Sequence, residues 1–393
     1  MTSRGRLVLA LAAACYLVAW ALGSRPLYPV AVGLALVALL SWAWVRASAR
    51  PMTLERKTRR RAHTEGEHVP VRLDLRSASR LPPPSVVVVE RIGRLGERQT
   101  PLDRRRGGYL LDALPRGRYR FEAARAVIED PFGLALAEVP LEAAGAILVR
   151  PRVVPLERLF SEGGSRRAGG NRLTVRRPSG VDVHGVREWG QGESLRHVHW
   201  ASTAKRGRLM VKELEDSPRD EVAVVLDARG GVAVADSFDV QVRAAAALLR
   251  SYATRHREAR LMIAGRLTES HPVRTLGADW EAALDALAAV EPDGRTPVEA
   301  LLEEGGAVAG SREVVIVTAT LTRGLADRLV RLQRARRPVS LVQVDAASFA
   351  PGAVPFRDPA LLRLHAAGVA VAVVRAGDDL RAVLSAPAEA AHG

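Results

Sequence analysis

Cysteine is almost missing from this chain. The single one, Cys15, lies inside an apolar run, which excludes a disulfide framework and a cysteine-built metal cluster and reads as a small buried hydrophobe. Aromatic residues make up only 4% of the 393 positions, too few for a platform that stacks single-stranded nucleic acid. Lysine is scarcer still: Lys57, Lys205 and Lys212 are the only lysines among 58 basic residues. A formal net charge of +15 ordinarily suggests nucleic acid or an anionic membrane. Here arginine carries nearly all of it beside abundant alanine, valine and glycine, which reads as a coding-composition bias, so no nucleic-acid partner is expected. Two catalytic signatures are also missing. No G-x-x-x-x-G-K-[ST] run exists, so the chain has no nucleotide-hydrolysing loop of its own. Ser179 and Ser194 stand outside any G-x-S-x-G elbow, which removes the commonest nucleophile arrangement.

What is present begins with two charge-free stretches, 7–24 and 26–45, separated by Arg25. Each is about long enough to cross a bilayer core as a helix, which takes roughly 17–25 residues. Trp20, Tyr28, Trp42 and Trp44 lie near the ends of these stretches, where interfacial aromatics are expected. Arg46, Arg50, Arg56, Lys57, Arg59, Arg60 and Arg61 follow the second stretch, against one arginine in the turn. The positive-inside rule then places both chain ends in the cytoplasm. The expectation is a transmembrane helical hairpin within 1–50, in the inner or plasma membrane, with the lipid bilayer as one partner and the soluble domains facing the cytoplasm.

Residues 51–155 read as strands. The segment 69–75 alternates apolar and polar side chains, 85–89 is β-branched, and 119–123 alternates again. Pro82, Pro83 and Pro84, the Gly107-Gly108 pair, and Pro115 with Gly117 punctuate these runs as turns. A small β-sandwich without chemistry of its own is expected. In the turn 130–134 (DPFGL) Pro131 presets φ, Gly133 supplies positive φ, and Phe132 is expected to pack inward. The stretch 156–220 joins this part to the next. Its Gly- and Arg-rich section 161–177 reads as a flexible connector or a mobile surface loop.

From residue 221 the pattern changes to alternating strands and helices. Short apolar strands are expected at 221–227, 260–264, 313–318, 339–344 and 369–374. Helical spacing covers 239–256, 278–290, 297–304 (with Thr296 as N-cap), 325–336, 359–367 and a last segment from 378. This alternation predicts an α/β doubly wound domain over 221–386, a parallel sheet wrapped on both faces, followed by a tail at 387–393. Such sheets place function at the carboxyl ends of their strands.

The densest mixture of charge, tryptophan and glycine is 181–216. Arg187, Glu188, Trp189, Arg196, Trp200, Lys205 and Lys212 are residue types that lock a loop through stacking and forked hydrogen bonds, or present a surface to a partner. A buried clasp and a docking surface are both open at this point. His184, His197 and His199 include a His-x-His pair that could share one ion, yet no third ligand of matching spacing stands beside them. No catalytic residue, metal or cofactor is expected. The alternatives are a purely structural membrane scaffold and a hydrolase of envelope or peptide substrates working through the His184 and His199 region.

The same stretch resembles the domain of unknown function 58 family. The residues that carry the resemblance are Arg187-Glu188-Trp189, Gly192-Glu193, Arg196 with His199-Trp200, and the Met210-Val211-Lys212-Glu213 ending. Against the family pattern, Trp189 replaces a tyrosine, and Glu193 and His199 replace aspartates. The final domain also resembles a von Willebrand factor A domain, whose metal-binding version carries Asp-x-Ser-x-Ser after its first strand. Here that place reads Asp227, Ala228, Arg229, Gly230, Gly231. Both hydroxyl positions are lost, and Thr296 is left as the one retained loop threonine, a degenerate adhesion site. The resemblance implies a membrane-anchored, non-enzymatic interaction or assembly factor. Its implied partners are a MoxR-class AAA ATPase in a chaperone-like role and other von Willebrand A membrane proteins.

Overall fold

The two apolar stretches become helices α1 (Ser3–Leu22) and α2 (Leu27–Ser48), each with mean hydropathy 1.9 and long enough to cross a membrane. Helix α1 starts before the apolar run because Thr2 caps it, its hydroxyl accepting from the Gly5 N–H at 3.1 Å. It stops at Gly23, whose φ of 65° is left-handed. Cys15 is half-buried on this helix, not enclosed as its apolar neighbours suggest. This computed structural model describes every residue except 80, 104, 143, 163–182, 189–199, 215–218, 304, 353–357 and 387–393. It divides into two units, Met1–Arg152 and Val153–Gly393.

In the first unit the strands make two sheets. One is β1 (Met52–Thr58), β3 (Val69–Ser77) and β6 (Arg106–Leu111), in the order β1-β3-β6. The other runs β2 (Ala62–Thr64), β9 (Ala146–Arg150), β7 (Gly117–Glu129), β4 (Ser85–Ile92), β5 (Glu97–Leu102), with β8 (Leu136–Leu141) also on β7. Period-two alternation turns Val69, Val71, Leu73 and Leu75 of β3 inward. There they share one core with Val86 and Val88 of β4 and Tyr119, Phe121, Ala126 and Ile128 of β7. Glu90 is buried in this unit and accepts from Arg56 Nε at 2.5 Å and from the Tyr109 hydroxyl at 3.1 Å. The Arg56 guanidinium also lies 4.6 Å above the Phe121 ring. Burial, followed by the Glu90 charge, pushes the Tyr109 hydroxyl far up.

The turn 130–134 departs from expectation. Phe132 is 66% exposed, and Leu134 is the residue that turns inward. The buried Asp130 carboxylate accepts from the Phe132 N–H at 3.0 Å and the Ala135 N–H at 2.6 Å. The turn therefore closes on that carboxylate, while Gly133 at φ 68° reverses the chain so that Leu134 takes the inner place.

The second unit is built on a six-stranded sheet: β14 (Thr268–Val273), β13 (Ala259–Ala264), β12 (Arg219–Asp227), β15 (Ser311–Thr318), β16 (Val339–Val344) and β17 (Ala370–Val374), in that spatial order. All pairings are parallel except β13 with β14. Strand β14 is an antiparallel edge that the sequence pattern does not announce: TESHPV lacks alternation and holds Pro272. Residues along β12 alternate between two cores. Val222, Val224 and Leu226 pack with α4 (Ser237–Thr254) and α5 (Ala278–Ala289). Ala223 and Val225 pack with α6 (Val298–Leu301), α7 (Arg323–Arg334) and α8 (Pro359–Ala366). Helices thus cover both faces, which is why the strands read as continuous apolar runs. The expected helix at 297–304 is only Val298–Leu301, and its cap position is Pro297 with no side-chain hydrogen bond, so Thr296 does not cap it.

Candidate functional site

Chain order in the parallel sheet reverses at β12. The next parallel strand, β13, lies on one side, and β15 lies on the other. Such a reversal leaves an open crevice at the carboxyl ends of the two strands, because their following loops run in opposite directions. Asp227 ends β12 and Thr318 ends β15, so the crevice begins with an acid and a hydroxyl.

Asp227 is buried, and its two oxygens are separately engaged. Oδ2 accepts from the Thr318 hydroxyl at 2.7 Å. Oδ1 accepts from the Arg229 N–H at 3.1 Å, a local side-chain-to-backbone turn typical of aspartate. The Thr318 hydroxyl accepts in turn from the Thr320 N–H at 2.9 Å. Burial pushes the Asp227 carboxyl up, against the opposing pull of the Thr318 bond and the Arg229 charge.

Arg229 folds back over this acid. Its Nη2 lies 3.9 Å from Asp227 Oδ2 and 3.5 Å from Glu299 Oε2. Glu299, on α6, also accepts from the Thr322 hydroxyl, which caps α7 by accepting from the Leu325 N–H at 3.0 Å. One guanidinium therefore lies between two carboxylates, each held by a threonine. The loop at Gly294 closes the back of the crevice. Gly294 N–H donates to Ala228 O at 2.8 Å, and Gly230 N–H donates to Gly294 O at 3.0 Å. A Cβ at 294 would stand 2.8 Å from Ala228 O, Ala264 O and the Gly265 Cα, so only glycine permits this approach. A cavity of about 10 Å³ lined by Asp227, Arg229, Phe238, Gln241 and Thr320 remains, room for about one water. The Gln241 Oε1 is buried without a hydrogen-bond partner.

A divalent cation does not fit these residues. Mg²⁺ demands near-octahedral oxygen ligation, whereas Arg229 and Gly231, close after Asp227, carry no side-chain oxygen. The Arg229 side chain brings a fixed positive charge beside both acids. Thr296 is half-buried and is not among the residues lining the cavity; Thr318 supplies the hydroxyl instead. Among the described residues no group of three or more His, Cys, Asp or Glu side chains could hold a metal ion.

The 181–216 stretch is brought together in part. Arg187 and Glu188 lie on β10 (Val183–Glu188) and Lys212 on β11 (Met210–Leu214), a two-stranded antiparallel ribbon. The register sets Val186 opposite Lys212 and Glu188 opposite Met210. His184 falls where the register slips between Val183 and Gly185. Helix α3 (Trp200–Arg206) precedes β11 and is tied to it by the Met210 N–H donating to Thr203 Oγ1 at 3.0 Å. Trp200, for which a buried clasp and a docking surface were both open, is 66% exposed. It occupies the first position of a short helix. Trp189, Gly192, Glu193, Arg196, His197 and His199 lie outside the described residues. Glu299 and Thr322 were not legible as site residues. Their only sequence signal is a polar residue at the start of each of two successive helices.

The family model for the protein of unknown function DUF58 matches residues 185–386, from the β10–β11 ribbon to the end of the parallel-sheet unit. No curated protein matches the chain. Among solved structures, the chain is similar to the conserved hypothetical protein BatB from Bacteroides thetaiotaomicron at 13% identity, over 40% of this chain and 91% of that one, with a TM-score of 0.28. A conjugative transposon lipoprotein from Bacteroides eggerthii is 15% identical over 23% of this chain and 93% of its own, with a TM-score of 0.15. Cwp6 from Clostridium difficile is 8% identical over 74% of this chain and 37% of its own, with a TM-score of 0.19.

Proposed function

Because this chain belongs to the DUF58 family of proteins of unknown function, we propose that it is a membrane-anchored, non-enzymatic interaction and assembly factor. In this reading the α1–α2 hairpin lies in the inner or plasma membrane, with the strands of the first unit and the whole second unit in the cytoplasm. The parallel-sheet unit is a von Willebrand A-like domain that docks a MoxR-class AAA ATPase, or other von Willebrand A membrane proteins, for chaperone-like work.

The observation that carries the reading is the Arg229 guanidinium at the chain-order reversal, held between Asp227 and Glu299. A guanidinium has five N–H donors in a rigid fork, more than these two contacts use. About a quarter of the side chain is exposed. It is thus a prepositioned receptor for a partner's carboxylate. The acid beneath it is engaged by Thr318 and by backbone and is not set up to exchange protons with a substrate. Arginine and tryptophan are also the residues that most often dominate interfaces, which brings Trp189, Arg196 and the exposed Trp200 into the same reading.

Co-purification of the full chain from detergent tests it. The wild type is expected to retain an ATPase of this class, and Arg229→Ala, Trp189→Ala and Arg196→Ala to lose it while keeping a native unfolding transition. Absence of any ATPase from the wild-type complex would overturn the partnership.

A further inference from the structure

We infer that the turn 130–134 and residues 81–84 of the first unit sit in the headgroup layer of the bilayer, with Phe132 and Leu81 as apolar wedges. This goes beyond a helical anchor, since it makes the strand unit itself a lipid-binding surface. It rests on the anchoring part of the reading above.

Both segments are fastened to the same end of the hairpin. At the start of α1, Thr2 N–H donates to Leu134 O at 3.0 Å and the Thr2 hydroxyl donates to Gly133 O at 2.6 Å. Gly5 makes this approach possible: a Cβ there would stand 2.1 Å from Leu134 O. At the end of α2, the Ser79 hydroxyl donates to Ala47 O at 3.2 Å, and Trp44 Nε1 donates to Pro82 O at 3.1 Å. Trp44 lies four residues before the last residue of α2, about 6 Å back along the helix axis. The loop that meets it therefore reaches past the helix end, toward the lipid.

The residues these segments present are apolar. Phe132 is 66% exposed and Leu81 51%. Arg4, Arg6, Arg46 and Arg50 are exposed at the same two helix ends, placed to meet lipid phosphates. An apolar tip ringed by arginines is the pattern that seats a surface element at the headgroup boundary. The far end of the unit is different. His68 and Asp112, beside the other end of β3, form an exposed polar pair, hydrogen-bonded at 3.1 Å. The nine residues of β3 separate the two ends by roughly 25 Å at ordinary strand rise.

Nitroxide accessibility in vesicles of phosphatidylcholine with phosphatidylglycerol tests the inference on the full chain. The native Cys15 carries the label in one sample. In a Cys15→Ala background, Phe132→Cys, Leu81→Cys and Asp112→Cys carry it in three others. The labels at 132 and 81 are expected to shift toward oxygen over a water-soluble nickel chelate, relative to the label at 112. Values at either site equal to those at 112, with Cys15 in lipid, overturn the inference and leave the anchor standing. A water-exposed label on Cys15 overturns the anchor and the inference together.

Discussion

The Thr318 hydroxyl donates to Asp227 Oδ2 at 2.7 Å between β12 and β15, the neighbouring strands at which chain order reverses. The bond is buried, so losing the donor leaves Oδ2 with only the Arg229 charge, 3.9 Å away, to offset its burial. Thr318→Val keeps the shape and removes the hydroxyl. A loss of about 1.5–3 kcal/mol, the range for hydrogen bonds to charged groups, is expected in urea unfolding of the detergent-solubilised chain. An unchanged midpoint would mean that the bond contributes nothing.

The direction of the Asp227 shift carries a pH dependence. Burial raises its carboxyl above the ordinary 3.8, so the folded chain binds that proton more tightly than the unfolded one. Below 3.8 the acid is protonated in both states and carries no penalty. As pH rises from there through the raised folded value, stability is lost, and the loss is complete above it. Asp227→Asn removes the ionisation. The wild-type minus Asn difference in urea midpoint is therefore expected to fall with pH over that window and to flatten above it. A rising difference would mean that the Arg229 charge outweighs burial.

Gly294 tests the packing of the crevice loop. With three backbone atoms 2.8 Å from a modest added Cβ, Gly294→Ala forces the chain apart from Ala228 and Gly265. Overpacking of this kind costs about 1–3 kcal/mol. Hydrogen exchange should quicken first at the Gly294 and Gly230 amides, which hold the loop to β12. Exchange spread evenly over the unit would point to global loosening instead.

In the first unit, Arg56 and Glu90 form an ion pair whose side chains are 8% and 1% exposed. Removing one partner of such a pair costs about 3–5 kcal/mol, because a buried charge is left alone. Arg56→Met is expected to lower the unit's unfolding midpoint accordingly. The double variant Arg56→Met with Glu90→Leu should recover most of the loss. If the double variant unfolds as early as the single one, the damage comes from packing against Phe121 and not from charge.

The legible part of this chain was its local geometry. Apolar runs without charge announced α1 and α2; the cap at Thr2 and the left-handed Gly23 displaced the ends of α1, and α2 runs on to Ser48, past the last residue of its apolar stretch. The strands β12, β13, β15, β16 and β17 stood out because a strand covered on both faces needs no polar residue. Strand β14 escaped because an exposed edge tolerates polar residues and a proline. Phe132 was placed inward on hydrophobicity alone, and the Asp130 carboxylate reversed that by closing the turn from inside.

The crevice was legible by halves. Asp227 and Arg229 are two residues apart, so their meeting is a local matter of turn geometry, and the replacement of hydroxyls by Arg229 and Gly231 could be read directly. Thr318 and Glu299 come from segments far along the chain. Periodicity depends on a residue's immediate neighbours, and so the amino-acid order alone determined the helices, the strands and the acid at the end of β12. Which residues share that acid's surroundings depends on strand order. Strand order follows from the direction in which each connection crosses the sheet, and only the assembled structure decided that Thr318 and Glu299 would be the ones.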